Sequence, residues 1–300
     1  MTYGIIDVGS NTIRLCIYKV EENRIIRLFN NKTTAGLIGY VNDGEMSQKG
    51  IRKACSVLKT YKEMAAQANI EALYVFATAS LRNISNGKEA VAFIERETGL
   101  SIDVLSGYDE ARLDFIGAAH ARELKDGIMV DIGGGSTKIL IFENGAIKKA
   151  VSLECGSLYL FRNYVSGLFP KSKERKAMRS KVRDELKKAG FSKKMELDNM
   201  VGIGGTIRAV GKFDIDILER SDNEHVISVD DIKLLMNELK DEERRTLRKI
   251  LRVCPDRVHT LIPGLMILSV ICKYFGCKTI DISDYGVREG YLYKKVVEGK

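Results

Sequence analysis

Two short stretches of this 300-residue chain place an aspartate at the end of an apolar run, with glycine shortly after it. They are Asp7-Val8-Gly9-Ser10-Asn11-Thr12 and Asp131-Ile132-Gly133-Gly134-Gly135-Ser136-Thr137-Lys138. The flanking apolar runs predict strands joined by a tight turn. Glycine lets a phosphate approach backbone N–H groups closely, and the aspartate carboxylate can hold a divalent cation beside it. For either stretch alone, a flexible hairpin tip without a ligand is the structural alternative.

The two stretches belong to an internal repeat. At an offset of 124 residues, Ile6–Gly9 aligns with Val130–Gly133 and Arg14 aligns with Lys138. A duplicated hairpin of this kind arises by chance much more rarely than a single one. The repeat predicts two similar domains, each with one glycine-bearing turn, which face each other across a cleft.

A third glycine turn, Gly204-Gly205-Thr206, follows the apolar run 200–203 and opens a predicted helix. A helix N-terminus of this form favours anions, which makes Gly205 and Thr206 candidate phosphate ligands. The turn is not a dinucleotide fingerprint, because Ile207 stands where the third glycine would be. No G-x-x-x-x-G-K-[S/T] motif occurs in the sequence.

Two charged residues of the first half have chemistry suited to phosphoryl transfer. Glu110, at the start of a predicted helix, can orient or deprotonate a water molecule. Arg82, in a predicted polar loop over residues 78–86, can neutralise phosphate oxygens. Structural alternatives exist for each. A carboxylate at a helix start already favours the helix dipole, Arg82 can pair with a surface carboxylate, and Asp7 can cap its own turn.

The order of the predicted elements also repeats. Residues 3–105 predict β-β-β-α-β-α-β, and the same order restarts in the second half before further helices. The last two helices are predicted over 256–275 and 286–297. We therefore predict an α/β fold with two domains, residues 1–121 and 122–300, the second with extra helices.

The net charge of +8 favours anionic partners, among them phosphorylated metabolites, polyphosphate and nucleic acid. Eleven basic and three acidic residues lie between positions 171 and 194, where a helix is predicted over 171–188. A solvated face is its first interpretation and a polyanion-binding face its second. Three histidines argue against a His-rich metal site, and six scattered cysteines without a C-x-x-C pair favour buried reduced thiols.

The chain starts directly with a strand pattern, and its most apolar stretch, 261–272, is too short to span a membrane. These features predict a cytoplasmic protein without a membrane partner. A nucleic-acid partner is also not expected, because the basic residues come without an aromatic-rich binding strip.

Together, these stretches resemble the exopolyphosphatase / guanosine pentaphosphate phosphatase (Ppx/GppA) family of the actin-like ATPase superfamily. Six or more blocks match in the family order and run nearly end to end. They are Ile6–Thr12, Ala77–Arg82 with Asn86, Leu105–Gly107 with Glu110–Arg112, Asp131–Thr137, Gly204–Thr206, Ile262–Gly264 and Ser283–Gly290. The resemblance implies an actin-like (ribonuclease H-like) duplicated ββαβαβ fold with an interdomain cleft. It also implies a chain that lacks the extra C-terminal helical domain of the longer members.

The resemblance implies a metal-dependent hydrolase that uses Mg²⁺ or Mn²⁺. Its partners would be inorganic polyphosphate or guanosine penta- and tetraphosphate, together with a second copy in a homodimer. By position, Glu110 activates the attacking water and Arg82 lies beside the phosphates. Asp131 and the Gly133 backbone match the metal site, which Asp7 can assist through water. The phosphate-binding residues would be Gly9, Ser10, Asn11, Thr12, Gly133, Gly134, Gly135, Ser136, Thr137, Lys138, Gly205 and Thr206.

Two positions depart from the family pattern. Lys138 follows Thr137 where the family usually has a glutamate, and Tyr159 stands near the place where it tends to have an arginine. A cation at position 138 should weaken a metal site or add a phosphate ligand. The aligned residue of the first hairpin, Arg14, indicates that a cation is sterically acceptable there.

Several functions remain open on this evidence. The first is exopolyphosphatase, and the second is hydrolysis of guanosine pentaphosphate (pppGpp) or another nucleotide. The two departures also allow a polyphosphate- or nucleotide-binding regulator with little catalysis. A kinase is the weaker option, because it would need an aspartate base, for which Asp109 beside Glu110 is the candidate.

Overall fold

The computed structural model describes residues 1–22, 24–191, 196–220, 226–240 and 242–299. They form two compact units, Met1–Leu113 with Arg288–Lys300, and Asp114–Val287. The sequence placed the boundary at residue 121 and all later residues in the second domain. The C-terminal segment instead belongs with the first unit, where polar contacts of Glu289 and Tyr291 hold it.

The first unit is built on a five-stranded sheet and a separate two-stranded ribbon. Its strands are β1 (Thr2–Val8), β2 (Thr12–Glu21), β3 (Arg24–Thr34), β4 (Val41–Asn42), β5 (Glu45–Met46), β6 (Ala72–Ala77) and β7 (Asp103–Val104). The sheet order is β3-β2-β1-β6-β7, and β4 pairs with β5. Strands β1, β6 and β7 are parallel. Their carboxyl ends therefore meet at one edge of the sheet, which is where ligands bind in open α/β sheets.

The second unit contains a six-stranded sheet. Its strands are β8 (Gly127–Ile132), β9 (Thr137–Glu143), β10 (Ala146–Leu153), β11 (Asn199–Ile203), β12 (Val226–Ser228) and β13 (Thr279–Ile282). Their order is β10-β9-β8-β11-β13-β12, with β8, β11 and β13 parallel and β12 an antiparallel edge strand. The β-β-β hairpin order predicted for both halves is thus confirmed.

The helices pack on both sheets. They are α1 (Gln48–Gln67), α2 (Ala79–Arg82), α3 (Gly87–Thr98), α4 (Gly107–Ala121), α5 (Ser157–Tyr164), α6 (Ser172–Lys188), α7 (Gly204–Ile217), α8 (Val229–Glu238), α9 (Glu243–Val253), α10 (Leu261–Phe275) and α11 (Val287–Leu292). Each unit has its own apolar core, around Leu15 and Tyr61 in the first and around Ile139 and Phe213 in the second. Helix α1 begins at a Ser47 cap, whose side chain accepts from the Gly50 N–H.

Three local predictions differ from the structure. The predicted loop 78–86 contains the helical turn α2, which is too short to give a periodic pattern. The predicted helix 256–275 is divided, because a turn at Pro255–Arg257 precedes α10. The last helix, predicted as one element over 286–297, is α-helical only to Leu292. The chain continues from there as a π-helical turn, Tyr293–Val297.

All six cysteines lie within the described ranges, and each is buried and unbonded, as predicted. Burial raises the pKa of the Cys155 thiol to about 12 and that of Cys254 to about 11. These thiols are therefore protonated and poorly nucleophilic at neutral pH. Within the described part of the chain, no helix combines the length and apolar character needed to cross a membrane.

Candidate active site

The two aspartate–glycine turns are the same structure built twice. In the β1–β2 hairpin Asp7 pairs with Arg14, and in the β8–β9 hairpin Asp131 pairs with Lys138. Each turn closes through one backbone hydrogen bond, Gly9 N–H to Thr12 at 3.0 Å and the equivalent Gly133 N–H to the carbonyl three residues later at 2.9 Å. The alignment at an offset of 124 residues is thus confirmed by strand register as well as by residue type.

The orientation of the second turn is fixed by the start of helix α5. The N–H groups of residues 157–159 donate to the carbonyls of Gly133 and Gly134, each at 2.9 Å. These peptide bonds are trans. Because a trans peptide points its N–H opposite to its carbonyl, the N–H groups of Gly134 and Gly135 face away from α5. The turn therefore presents consecutive donors on one side, as an anion-binding loop requires.

Gly156 allows this close packing. A Cβ at this position would lie 2.4 Å from the Gly134 carbonyl oxygen, well inside van der Waals contact. Only glycine lets the chain pass so near the turn. Ser157 adds a side-chain hydrogen bond to the Gly133 carbonyl at 3.1 Å. The support that Gly156 and Ser157 give to the turn could not be predicted from the sequence, because it depends on the packing of α5 against the hairpin.

The first turn is held in a comparable way by a different segment. The carbonyls of Ser10 and Asn11 accept N–H groups from Ile38 at 3.0 Å and Gly36 at 2.8 Å. Because the Ser10–Asn11 peptide bond is trans, the Asn11 N–H faces away from that segment. Gly36 has a φ of 59°, a left-handed conformation that glycine adopts without strain.

Not every predicted phosphate ligand offers its side chain. Thr137 is fully buried, and its hydroxyl donates to the Cys155 carbonyl at 2.6 Å. Ser10 and Ser136 are also buried, at 7% and 2% exposure. For these residues, backbone groups are the more suitable contacts for a ligand.

The third glycine turn lies against the second at the carboxyl edge of the same sheet, where β8 and β11 are parallel neighbours. Gly204 has a φ of 88°, and a Cβ there would lie 2.0 Å from Asp131 Oδ1. A Cβ on Gly205 would lie 2.4 Å from Arg257 Nη2. Asp131, the third turn and the Arg257 guanidinium are thus brought together. Arg257 could not be recognised from the sequence as part of this site, because it lies in a region predicted as continuous helix.

Lys138 supplies a buried positive charge beside the second turn. Its Nζ lies 3.1 Å from Asp131 Oδ2, and both side chains are largely shielded from solvent. The same Nζ is 3.6 Å from the position that a Cβ on Gly133 would occupy. The ammonium therefore stands next to the glycine turn, at the place where a cation bound by Asp131 would be expected.

The carboxylates of the two hairpins do not form a metal site on their own. Asp131 is paired with Lys138 at 3.1 Å and Asp7 with Arg288 at 3.2 Å. Among the described residues, no group of three histidine, cysteine, aspartate or glutamate side chains is arranged to hold a metal ion. Since each carboxylate already has a cationic partner, this donor set does not fit the predicted Mg²⁺ or Mn²⁺ site.

Glu110 and Arg82 are in direct contact. Arg82 Nη1 donates to Glu110 Oε2 at 3.0 Å and to the Leu105 carbonyl at 2.9 Å, and Glu110 is only 3% exposed. Helix α2 carries Arg82 and is tied to the end of β1, because the Val8 carbonyl accepts from the Ser80 hydroxyl at 2.7 Å. The first glycine turn, the arginine and the glutamate are therefore connected within one unit.

Asp7 belongs to a buried charged cluster with the C-terminal segment. Arg288 binds Asp7, and the Tyr18 hydroxyl donates to Glu289 at 2.6 Å. Burial opposes the charge of Arg288, but Glu289, Tyr18 and Asp7 together raise the pKa of its guanidinium above the ordinary value. Arg288 therefore compensates the two carboxylates near β1.

Replacing Arg288 with methionine should lower the free energy of unfolding by about 3–5 kcal/mol, because Asp7 and Glu289 would lose their buried cationic partner. Urea denaturation measures this change. Arg27→Met, which removes an exposed arginine of the same unit, should change stability by less than about 0.5 kcal/mol. Equal losses in the two variants would contradict the role given to Arg288.

Comparison with known proteins identifies the chain. The sequence profile of the Ppx/GppA phosphatase family matches residues 16–298. The chain belongs to this family. Among its relatives, a putative exopolyphosphatase of Haemophilus influenzae is 25% identical over 96% of this chain and 89% of its own length. Exopolyphosphatase 1 of Mycobacterium leprae is 22% identical over 99% of this chain and 90% of its own length.

A guanosine-5'-triphosphate,3'-diphosphate pyrophosphatase of Photobacterium profundum is also 22% identical, over 97% of this chain. The chain spans 59% of the length of that relative. An exopolyphosphatase structure from Cytophaga hutchinsonii superimposes with a TM-score of 0.87 at 22% identity, covering 99% of this chain and 98% of the other. The Ppx/GppA structure from Aquifex aeolicus gives 0.81 at 24% identity, with 100% and 99% covered. The predicted two-domain, actin-like α/β fold is thereby confirmed.

Proposed function

We propose that this Ppx/GppA protein hydrolyses phosphoanhydride bonds and removes the terminal phosphoryl group of linear inorganic polyphosphate. The observation that carries this proposal is the contact between Glu110 and Arg82, anchored through α2 on the strand that leads into the first glycine turn. A buried carboxylate beside an arginine and a backbone N–H cradle is a set of groups suited to phosphoryl transfer. The exopolyphosphatase relatives support the same reaction.

In this proposal, Glu110 accepts a proton from a water molecule as the water attacks the terminal phosphorus. The new P–O bond forms to the water oxygen, and the bond to the bridging anhydride oxygen breaks. The shortened polyphosphate leaves with that oxygen and its electron pair. Arg82 donates to Glu110 and the Leu105 carbonyl through Nη1 and to Asn83 through Nε, so the two N–H groups of Nη2 are the donors that can bind phosphoryl oxygens.

The second unit has its own set of groups suited to binding phosphates. The outward N–H groups of Gly134 and Gly135 can donate to phosphate oxygens, and Lys138 and Arg257 add positive charge at the same sheet edge. Because the carboxylates of both hairpins are paired with cations, no step of the proposed reaction depends on Mg²⁺ or Mn²⁺, and Lys138 supplies the positive charge beside Asp131.

Hydrolysis of pppGpp is the second candidate, favoured by the similarity to the Photobacterium profundum pyrophosphatase. Both substrates end in a phosphoryl group on an anhydride oxygen, so the proposed chemistry is the same for each. They differ in what lies beyond the first phosphates, a phosphate chain in one and a nucleoside in the other.

Side-by-side measurement of phosphate release separates the two functions. We expect kcat/KM for polyphosphate to exceed that for pppGpp by at least about tenfold, equivalent to about 1.4 kcal/mol. The reverse ratio would support the second candidate. Tight binding of both substrates with release from neither, with or without Mg²⁺ or Mn²⁺, would indicate a regulator instead of an enzyme.

A further inference from the structure

A groove of about 670 Å³ lies on the second unit between helices α6 and α10. Four of the seven residues that line it are cationic, and none is acidic. They are Arg179, Arg183 and Lys187 from α6, with Ser269, Val270, Lys273 and Tyr274 from α10. This concentration of charge is separate from the glycine turns and has no role in the chemistry described above.

The three cations of α6 are spaced four residues apart, so they follow one another along one face of the helix, about 6 Å apart. Like charges at this spacing destabilise a helix by about 0.2–0.5 kcal/mol for each pair. An anion bound along the groove would remove this repulsion. The spacing therefore favours an extended anion over a compact one.

The acidic residues of α6 neutralise the groove only in part: Lys187, one of its cations, lies 4.0 Å from Asp184, and both of these side chains are more than half exposed. Glu185 accepts from Lys181 at 2.9 Å and from Lys188 at 3.2 Å, and neither lysine lines the groove. Within the described ranges, Arg183 and Lys273 form no ion pair and both side chains are exposed. Lys193 and Lys194, which extend the basic run of the sequence, lie outside the described residues. The groove thus presents uncompensated positive charge to solvent.

Helix α10 connects this groove to the glycine turns of the same unit. Near its start, a Cβ on Gly264 would lie 2.2 Å from Thr206 Cγ2 and 3.8 Å from Ser157 Cβ. Lys273 follows nine residues later on the same helix, which corresponds to about 14 Å along the axis. A chain of many phosphates bound at the turns can reach this distance, whereas tripolyphosphate is too short.

We propose that the α6–α10 groove binds the distal part of a linear inorganic polyphosphate chain, which extends the proposed function of the glycine turns. Polyphosphate carries charge on every unit and has no apolar or aromatic part. The groove matches this chemistry, because its lining is mainly cationic and contains one aromatic residue, Tyr274. Single-stranded nucleic acid would instead favour several aromatic stacking platforms.

The double variant Arg183→Glu with Lys273→Glu tests the proposal. We expect KM for chains of about fifty phosphates to rise by about tenfold or more, because two attractive charges become repulsive. Turnover of tripolyphosphate should be unchanged. Arg244→Glu with Arg248→Glu reverses two exposed arginines on α9 and is the matched control, for which both substrates should behave as with wild-type protein. Equal melting temperatures establish that the variants are folded.

An unchanged KM for long chains in the groove variant would overturn the inference, even if the wild-type protein releases phosphate normally. Single-stranded RNA of equal length that competes as strongly as polyphosphate would also overturn it. If wild-type protein releases phosphate from neither chain, the proposed function fails. Direct binding of the long chain to wild-type and variant protein then still tests the groove, and equal affinities would overturn it.

Discussion

Replacing Glu110 with glutamine should lower the rate of phosphate release from polyphosphate by about 10²–10⁴-fold, the usual contribution of a general base. The amide cannot accept the proton of the attacking water at neutral pH. It has nearly the volume of the carboxylate, and its carbonyl oxygen can still accept from Arg82 Nη1, which is 3.0 Å from Glu110 in the native protein. Substrate binding should therefore be largely kept while kcat falls.

Asp109 provides the matched control, since it is the neighbouring acid in the same helical turn. Its carboxylate accepts a 2.6 Å hydrogen bond from the Ser106 hydroxyl, whose oxygen caps α4 by accepting from the Asp109 backbone N–H at 3.0 Å. Asp109→Asn should therefore reduce kcat by less than about threefold, with at most a small loss of stability. A large loss in Asp109→Asn and full activity in Glu110→Gln would assign the base to Asp109 and contradict the proposed mechanism. Folding is checked by circular dichroism and the melting temperature.

The duplicated hairpins could be predicted from the sequence because all of their determinants are local. Apolar strands, a glycine turn and an aspartate before it recur at one offset, and the pairing of Asp7 with Arg14 and of Asp131 with Lys138 confirms the predicted register. Strand register follows from the turn and from which side chains are buried. The relation between the two halves can therefore be recognised from the residue pattern alone.

The contacts that complete the candidate site could not be predicted in the same way. Arg82 meets Glu110 only because α2, a single helical turn, folds back onto Val8. So short an element leaves no periodic signal. Arg288 reaches Asp7 across 281 residues, and Arg257 approaches the third turn from a separate short helix. These contacts depend on tertiary packing. The alternation of apolar residues in strands and their periodicity in helices do not predict such contacts.

Lys138 is the position where the sequence predicted a difference from the family. In the structure, its ammonium forms an ion pair with Asp131. Replacing it with glutamate, the residue usual there in the family, should make phosphate release depend on added Mg²⁺ or Mn²⁺. The substitution removes the ammonium 3.1 Å from Asp131 and puts a second carboxylate beside the first. Two neighbouring carboxylates repel each other and favour a bound divalent cation. In wild-type protein the Lys138 ammonium lies beside Asp131, so we expect its phosphate release not to depend on the added ion.

With a chelator present, the Lys138→Glu variant should release phosphate at least about tenfold more slowly than wild-type protein, a loss of about 1.4 kcal/mol of transition-state stabilisation. Added Mn²⁺ should recover most of this rate. The matched control is Lys148→Glu, an exposed charge reversal on the neighbouring strand β10, which should behave as wild type.

A second readout does not depend on catalysis. Without substrate, Mn²⁺ should raise the melting temperature of the Lys138→Glu variant but not that of wild-type protein, because a ligand stabilises only the folded state that binds it. A wild-type protein that itself gains stability from Mn²⁺ and loses activity with the chelator would show that Asp131 exchanges Lys138 for a metal ion. The ion pair would then be a resting state, and Lys138 would not be a substitute for the cation.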